Sequence, residues 1–322
     1  MSDNATMKNT TIHDMTTGSP ARLIMQFMIP MFLGNIFQQF YNIADSIIAG
    51  QFLGVRALAA IGSTGSLMFF VTGWLNGLSS GFAILVSQWF GAKEYERMRH
   101  YVAMSIYLSA GWAVLMTIGL GIANEPILRL MNYKDSIMPD VKAYMGIIYA
   151  GLIVTAAYNA LAAFLRALGD SKSPLYFLII SAVINVGLDV AFIIYGGMGV
   201  EGCAYATVIA QGISAVLALV TLFSRLRSFA GEEKQPFFDR GYFTQIFAIA
   251  VPSILQQSVL SVGNLFVQDI VNRYGSAVVA GYSGAIKLNT FAINIFMTLG
   301  SCLSSYTAQN IGAGKAERIP LG

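Results

Sequence analysis

After its first twenty residues the chain is built from long apolar runs separated by short polar connectors. Eight of these runs are long enough to read as membrane spans: roughly 23–52, 57–86, 101–122, 143–165, 175–196, 202–223, 243–272 and 278–308. About twenty residues at 1.5 Å rise cross a hydrocarbon core of roughly 30 Å. Several runs exceed that length, so tilt or kinks are expected, with Pro30 and Pro252 as kink sites. The run Tyr176–Tyr195 is nearly all apolar but contains Asp189 and, four residues earlier, Asn185. An aspartate near a helix centre costs about 2.5–3.5 kcal/mol on insertion scales and normally faces a protein interior or a wet cavity. At i and i+4 the two side chains share a face, where they serve either as interhelical glue or as ligands of a shared cation.

Composition agrees with the pattern. Apolar residues make up 56% of the chain and charged residues 11%, and mean hydropathy is +0.63, which marks an all-α polytopic membrane protein. Cys203 and Cys302 fall in or beside apolar spans and, with His13 and His100, offer no metal-ligand spacing, so both read as small core residues and no metal site is expected from them. Residues 1–20 lack the apolar core of a signal peptide, which makes the first span a retained anchor. Thirteen Lys and Arg fall in the tail and alternate loops (Lys8, Arg22; Lys93, Arg97, Arg99; Arg166, Lys172; Arg225, Arg227, Lys234, Arg240; Lys315, Arg318), against five on the other side (Arg56, Arg129, Lys134, Lys142, Arg273). That excess assigns the N-terminus to the cytoplasm.

The chain also repeats itself. Shifted by 221 residues, Gln88-Trp-Phe-Gly-Ala-Lys-Glu-Tyr-Glu-Arg97 falls on Gln309-Asn-Ile-Gly-Ala-Gly-Lys-Ala-Glu-Arg318, with Gln, Gly, Ala, Glu and Arg coincident. Both copies end an outside-to-inside helix, so the halves are expected to be parallel repeats related by an axis along the membrane normal. The expected organisation is a tail (1–20), a six-span first lobe (21–223), a cytoplasmic linker (224–241) and a partial second lobe with two spans (242–322). By that symmetry a complete chain needs twelve spans and about 120 further residues, so the sequence reads as a piece of a larger protein.

Helix rise places the polar residues in depth. Asp189 and Thr207 each lie about 9 Å below the outer face, Asp45 about 13 Å below it, and Tyr144 near the outer end of the fourth span. Two carboxylates at one depth in low dielectric cannot both stay ionised without a cation or a proton between them. Asp45, Asn185, Asp189 and Thr207, with Tyr144 as a further phenol, therefore form a candidate coupling site for Na⁺ or H⁺; the other reading is two unrelated buried acids on separate helices. Gln38, Asn42, Gln256, Asn264 and Gln268 either line a solvated cleft or face neighbouring helices, and Lys287 is either a cleft charge or a snorkelling residue. The glycines from Gly73 to Gly81 predict close helix packing and those from Gly196 to Gly202 a tight outer turn. No constellation of nucleophile, base and orienting group is present, so an enzyme is not expected.

Several motifs, in order and at matching spacing, carry a family likeness: Pro30-Met-Phe-Leu-Gly-Asn35, Tyr41-Asn-Ile-Ala-Asp-Ser46, Val86-Ser-Gln-Trp-Phe-Gly-Ala92, Arg166-Ala-Leu-Gly-Asp170-Ser-Lys-Ser-Pro174, and Asn185 to Asp189 followed by Gly199-Val-Glu-Gly-Cys-Ala-Tyr-Ala-Thr207. From about Gly18 to Arg318 the chain resembles the multidrug and toxic compound extrusion (MATE) family, most of all its bacterial DNA-damage-inducible type. The resemblance implies two six-helix lobes forming a V, of which the second is incomplete here. It also implies a Na⁺- or H⁺-coupled antiporter of the plasma (inner) membrane that exports drugs, organic cations or other amphiphiles by alternating access. Asp45, Asn185, Asp189 and Thr207 match the family's first-lobe cation site, and Tyr144 is a further match. The implied partners are small amphiphilic molecules and the bilayer, with no nucleic acid, no organic cofactor and a monomeric state for a complete chain. The alternatives are a transport-inactive membrane fragment and a lipid-linked oligosaccharide flippase, which would be expected to line its cavity with bases.

Overall fold

Each predicted span falls on helix. The computed structural model describes residues 13–131, 133, 135, 137–229, 238–272 and 276–322. Among these the regular elements are all helical: α1 (Pro20–Phe52), α2 (Val55–Ser63), α3 (Gly65–Gly91), α4 (Tyr95–Leu130), α5 (Met138–Ala150), α6 (Leu152–Ala167), α7 (Lys172–Val190) continued by a π-helical turn (Ala191–Tyr195), α8 (Val200–Ser228), α9 (Arg240–Asn272) and α10 (Ser276–Gly312), with a closing 3₁₀ turn (Ala316–Leu321). Six of the described helical segments are long and apolar enough to cross a membrane, or seven when the bent pair α5 and α6 counts as one span. The eighth predicted span lies on α10.

The ends and breaks of these helices have local causes. Pro20 opens α1, where its missing N–H costs nothing. Gly54 adopts φ 82° between α1 and α2, a region that favours glycine. The second span breaks at Thr64, where the hydroxyls of Ser63 and Thr64 bond back to the carbonyls of Ala60 and Ile61. The fourth bends by 49° at Gly151, whose Cβ position is filled by the Val208 side chain of α8. The prolines expected to mark kinks, Pro30 and Pro252, sit inside unbroken helices. The predicted linker is partly helical: α8 runs on to Ser228 and α9 starts at Arg240, while residues 230–237 lie outside the described residues.

Helix α3 is the hub. It packs on α4 and α6 from the first half of the chain and on α9 and α10 from the second. Its contact with α9 runs through glycines at four-residue spacing: a Cβ on Gly73 would lie 3.2 Å from Ser261 Oγ, one on Gly77 2.9 Å from the Ser253 carbonyl, and one on Gly81 3.0 Å from Ala250 Cα. Rising numbers on α3 meet falling numbers on α9, so the pair is antiparallel, and the missing side chains let the backbones touch.

At its C-terminal end α3 meets α10. Gly91 lies against the Gln309 carbonyl, and Gly312 lies against the Gln88 carbonyl, so closely that either glycine's Cβ would overlap the facing oxygen. These four residues are the repeat partners: 88 corresponds to 309 and 91 to 312. A contact in which i meets j′ and j meets i′ is the mark of a two-fold relation.

The N-terminal segment is strapped across the same end. His13 N–H donates to the Gly169 carbonyl (3.2 Å), Met15 N–H donates to Gln309 Oε1 (3.1 Å), and the amide of Asn310 donates to the Met15 carbonyl (3.2 Å). Lys315 and Arg318 donate to the carbonyls of Thr16 and Gly18. Gln309 Nε2 reaches on to the Ala167 carbonyl (3.0 Å). Beneath the strap Met15, Phe27, Cys302 and Tyr306 form an apolar cluster. The Gly169-Asp-Ser-Lys-Ser motif is structural here: buried Asp170 accepts from Ser173 N–H and Oγ and pairs with Arg225 on α8. At the opposite end Arg56 pairs with Asp140, and Arg129 and Lys142 both pair with Glu125.

Candidate functional site

Three helices each contribute a pair of polar residues spaced i, i+4: Tyr41 and Asp45 on α1, Asn185 and Asp189 on α7, Cys203 and Thr207 on α8. The spacing turns each pair to one helix face, and the mutual packing of α1, α7 and α8 brings the three faces together. A carboxylate oxygen of Asp45, one of Asp189 and the Cys203 sulfur all lie within 4.8 Å of one another. The Tyr41 hydroxyl donates to Thr207 Oγ1 (3.0 Å), and Asn185 Nδ2 lies 3.5 Å from the same oxygen. Tyr144 on α5 lies within electrostatic reach of Asp45, Tyr41, Cys203 and Asp189. Asn185, Asp189 and Cys203 are fully buried, and Asp45, Tyr144 and Thr207 nearly so.

Several acceptors of this cluster are left without a donor. Asp45 Oδ1, Asn185 Oδ1 and both carboxylate oxygens of Asp189 are buried without a hydrogen-bond partner. An unsatisfied buried acceptor costs roughly 1–3 kcal/mol, and more when charged. An oxygen of Asp45 and one of Asp189 lie within 4.8 Å of each other, and a cation or a proton between them satisfies both. The π-helical turn begins two residues after Asp189, and such turns inside helices often mark functional positions.

The predicted set Asp45, Asn185, Asp189, Thr207 and Tyr144 is thus brought together. Two members escaped the sequence reading. Tyr41 was visible by the spacing argument that found Asn185 and Asp189. The expectation that both cysteines are small core residues holds: Cys302 Sγ contacts the Ile24 carbonyl, and Cys203 is packed in the core while also belonging to the site cluster. Position four before Thr207 puts that thiol on the site face, a signal that a search for Cys and His spacing along the chain does not register.

The cleft residues divide. Gln38, Asn42, Gln256 and Asn264 are exposed, so these four are not packed into helix interfaces of the described chain. The side chains of Gln268 and Lys287 lie outside the described residues. Beside them, Gln39 and Asn35 line an apolar cavity of about 180 Å³ between α1 and α10, where Asn35 donates to Thr298.

Carboxyl groups buried between three membrane-length helices suit a polytopic transport protein. The MatE family model matches residues 30–191 and 252–320, and the chain belongs to that family of transporters. It is 30% identical over 311 residues to the probable multidrug resistance protein YpnP of Bacillus subtilis, covering 95% of this chain and 68% of that relative. It is 29% identical to the probable multidrug resistance protein YoeA of the same organism, covering 92% of this chain and 66% of that protein. A solved outward-facing multidrug resistance MATE transporter superposes with a TM-score of 0.86 at 24% identity, covering 97% of this chain and 70% of the other. The chain therefore spans about two thirds of the length of the relatives it matches.

Proposed function

We propose that the chain carries the cation-coupling half of an exporter that moves drugs, organic cations or other amphiphiles out across the plasma membrane in exchange for Na⁺ or H⁺. Residues 21–223 form one lobe, and α9 and α10 begin the second, with the N-terminus in the cytoplasm. The observation that carries this reading is a pair of buried carboxyl groups on different helices, with an oxygen of each within 4.8 Å of the other and both oxygens of Asp189 and one of Asp45 lacking a donor. Such a pocket is stable when a positive ion or a proton sits in it and costly when vacated, so its occupancy biases the packing of α1 against α7 and α8.

Antiport follows from that bias. An ion that binds one conformation about tenfold more tightly than the other contributes about 1.4 kcal/mol towards it. Ion entry from outside then favours the conformation that releases the amphiphile, and ion release inside resets the cycle. The names of the related multidrug resistance proteins support amphiphilic drugs as cargo.

Asp189→Asn keeps the shape of the site and removes one negative charge. In cells expressing the transporter with this change, cation-driven efflux of a fluorescent drug is expected to be lost. Drug accumulation equal to that of unaltered protein, at equal membrane abundance, overturns the proposal.

A further inference from the structure

The thiol of Cys203 is out of place in a site for a hard cation. Na⁺ and H⁺ are served by oxygen, and the pocket has oxygen to spare: four buried acceptor atoms lack a donor. Into this nest α8 delivers a sulfur, fully buried and within 4.8 Å of carboxylate oxygens from both α1 and α7. Cys302 is equally buried and equally unpaired with another cysteine. It faces a carbonyl among apolar side chains instead.

We propose that Cys203, Asp45 and Asp189 form a binding site for a soft divalent cation of the Zn²⁺ or Cd²⁺ kind, at which the metal takes the place of the coupling ion. The ligand set is one sulfur and two carboxylates, with Asn185 Oδ1 as a fourth buried acceptor in the same pocket. Zn–S and Zn–O bonds of about 2.3 and 2.0–2.2 Å hold two ligands of a tetrahedral ion about 3.6 Å apart. The present spacing, no more than 4.8 Å, closes on Zn²⁺ with shifts of at most about 1 Å, and with smaller ones on Cd²⁺, whose bonds are longer. Softness decides between metals: a thiolate selects Zn²⁺ and Cd²⁺ over Na⁺, Mg²⁺ and Ca²⁺. Charge agrees in direction, since two carboxylates and a thiolate carry three negative charges, which a divalent ion offsets further than a monovalent one. On binding, the metal–sulfur bond forms as the thiol proton leaves to solvent.

The inference rests on the reading of Asp45 and Asp189 as a cation site, and it adds that the site is open to a competing metal. The test is CdCl₂ titration of the full purified chain in lipid nanodiscs, followed by calorimetry and by the ultraviolet sulfur-to-cadmium charge-transfer band. One equivalent is expected to bind, with the band present. Cys203→Ser, nearly the same size, is expected to abolish the band and weaken binding at least tenfold. Cys302→Ala is expected to leave both unchanged. Equal binding by the Cys203→Ser variant, or loss of the band in Cys302→Ala instead, overturns the proposal. The two readings fail separately: an intact cadmium band with no effect of Asp189→Asn on efflux removes the transport reading alone. Coupled efflux with no Cys203-dependent band removes this one alone.

Discussion

The Tyr41 hydroxyl and the Asn185 amide both point at Thr207 Oγ1, at 3.0 and 3.5 Å, which leaves the threonine's own proton to be directed elsewhere in the pocket. Tyr41 thereby holds the Thr207 hydroxyl in place without contributing a charge. Tyr41→Phe removes one buried hydrogen bond, worth about 1 kcal/mol. The concentration of coupling ion giving half-maximal efflux should rise roughly fivefold while the maximal rate changes less. No change in that concentration would remove Tyr41 from the site. Asp45, Asn185, Asp189 and Thr207 could be found from sequence because a charge or amide in an apolar run is conspicuous and helix rise gives its depth. Depth carries no azimuth, however. Cys203 and Tyr41 look ordinary in a membrane helix, and only the packing of α1 and α8 turns them inward.

Among the helices, glycine separates tight contacts from open ones. Gly91 and Gly312 touch facing carbonyls, whereas a Cβ on Gly111 of α4 would meet nothing within 4 Å. Gly91→Ala drives a methyl into backbone that cannot rotate aside, so it should lower the thermal midpoint of the detergent-purified chain by several degrees, at the upper end of overpacking costs of about 1–3 kcal/mol. Gly111→Ala should leave the midpoint unchanged or raise it slightly, since alanine favours helix. Equal midpoints for both variants would show that the α3 and α10 ends are not in contact. Eight helices were readable because a long apolar run states its own length. The break at Thr64, the bend at Gly151 and the π-helical turn after Asp189 were not, since each depends on what a neighbouring helix or a hydroxyl does to a ladder that local propensity alone would continue.

Across the whole molecule, the acceptor pocket and the strap of residues 13–18 lie at opposite ends of α7: Asp189 is near its C-terminus, and the strap bonds to Gly169 just before its N-terminus. Gln309 joins the strap to both halves, accepting from Met15 and donating to Ala167. Gln309→Ala should release this segment, seen as faster amide hydrogen exchange across residues 13–18 with little change in the middle of α7. Unchanged exchange there would mean that the bonds to Gly169, Asn310, Lys315 and Arg318 hold the strap without Gln309. The repeat behind this arrangement was legible in the ten-residue match. Its physical meaning was not, because a sequence alignment does not say that the two copies touch.

The reciprocal seat of Gly91 and Gly312 also limits how the gene can change. Each glycine is answered by a peptide oxygen, a group every amino acid possesses, so no exchange of a partner's side chain makes room for a methyl on either one. A lineage that loses one of these glycines therefore has no compensating substitution on the opposite copy, because the obstacle is main chain.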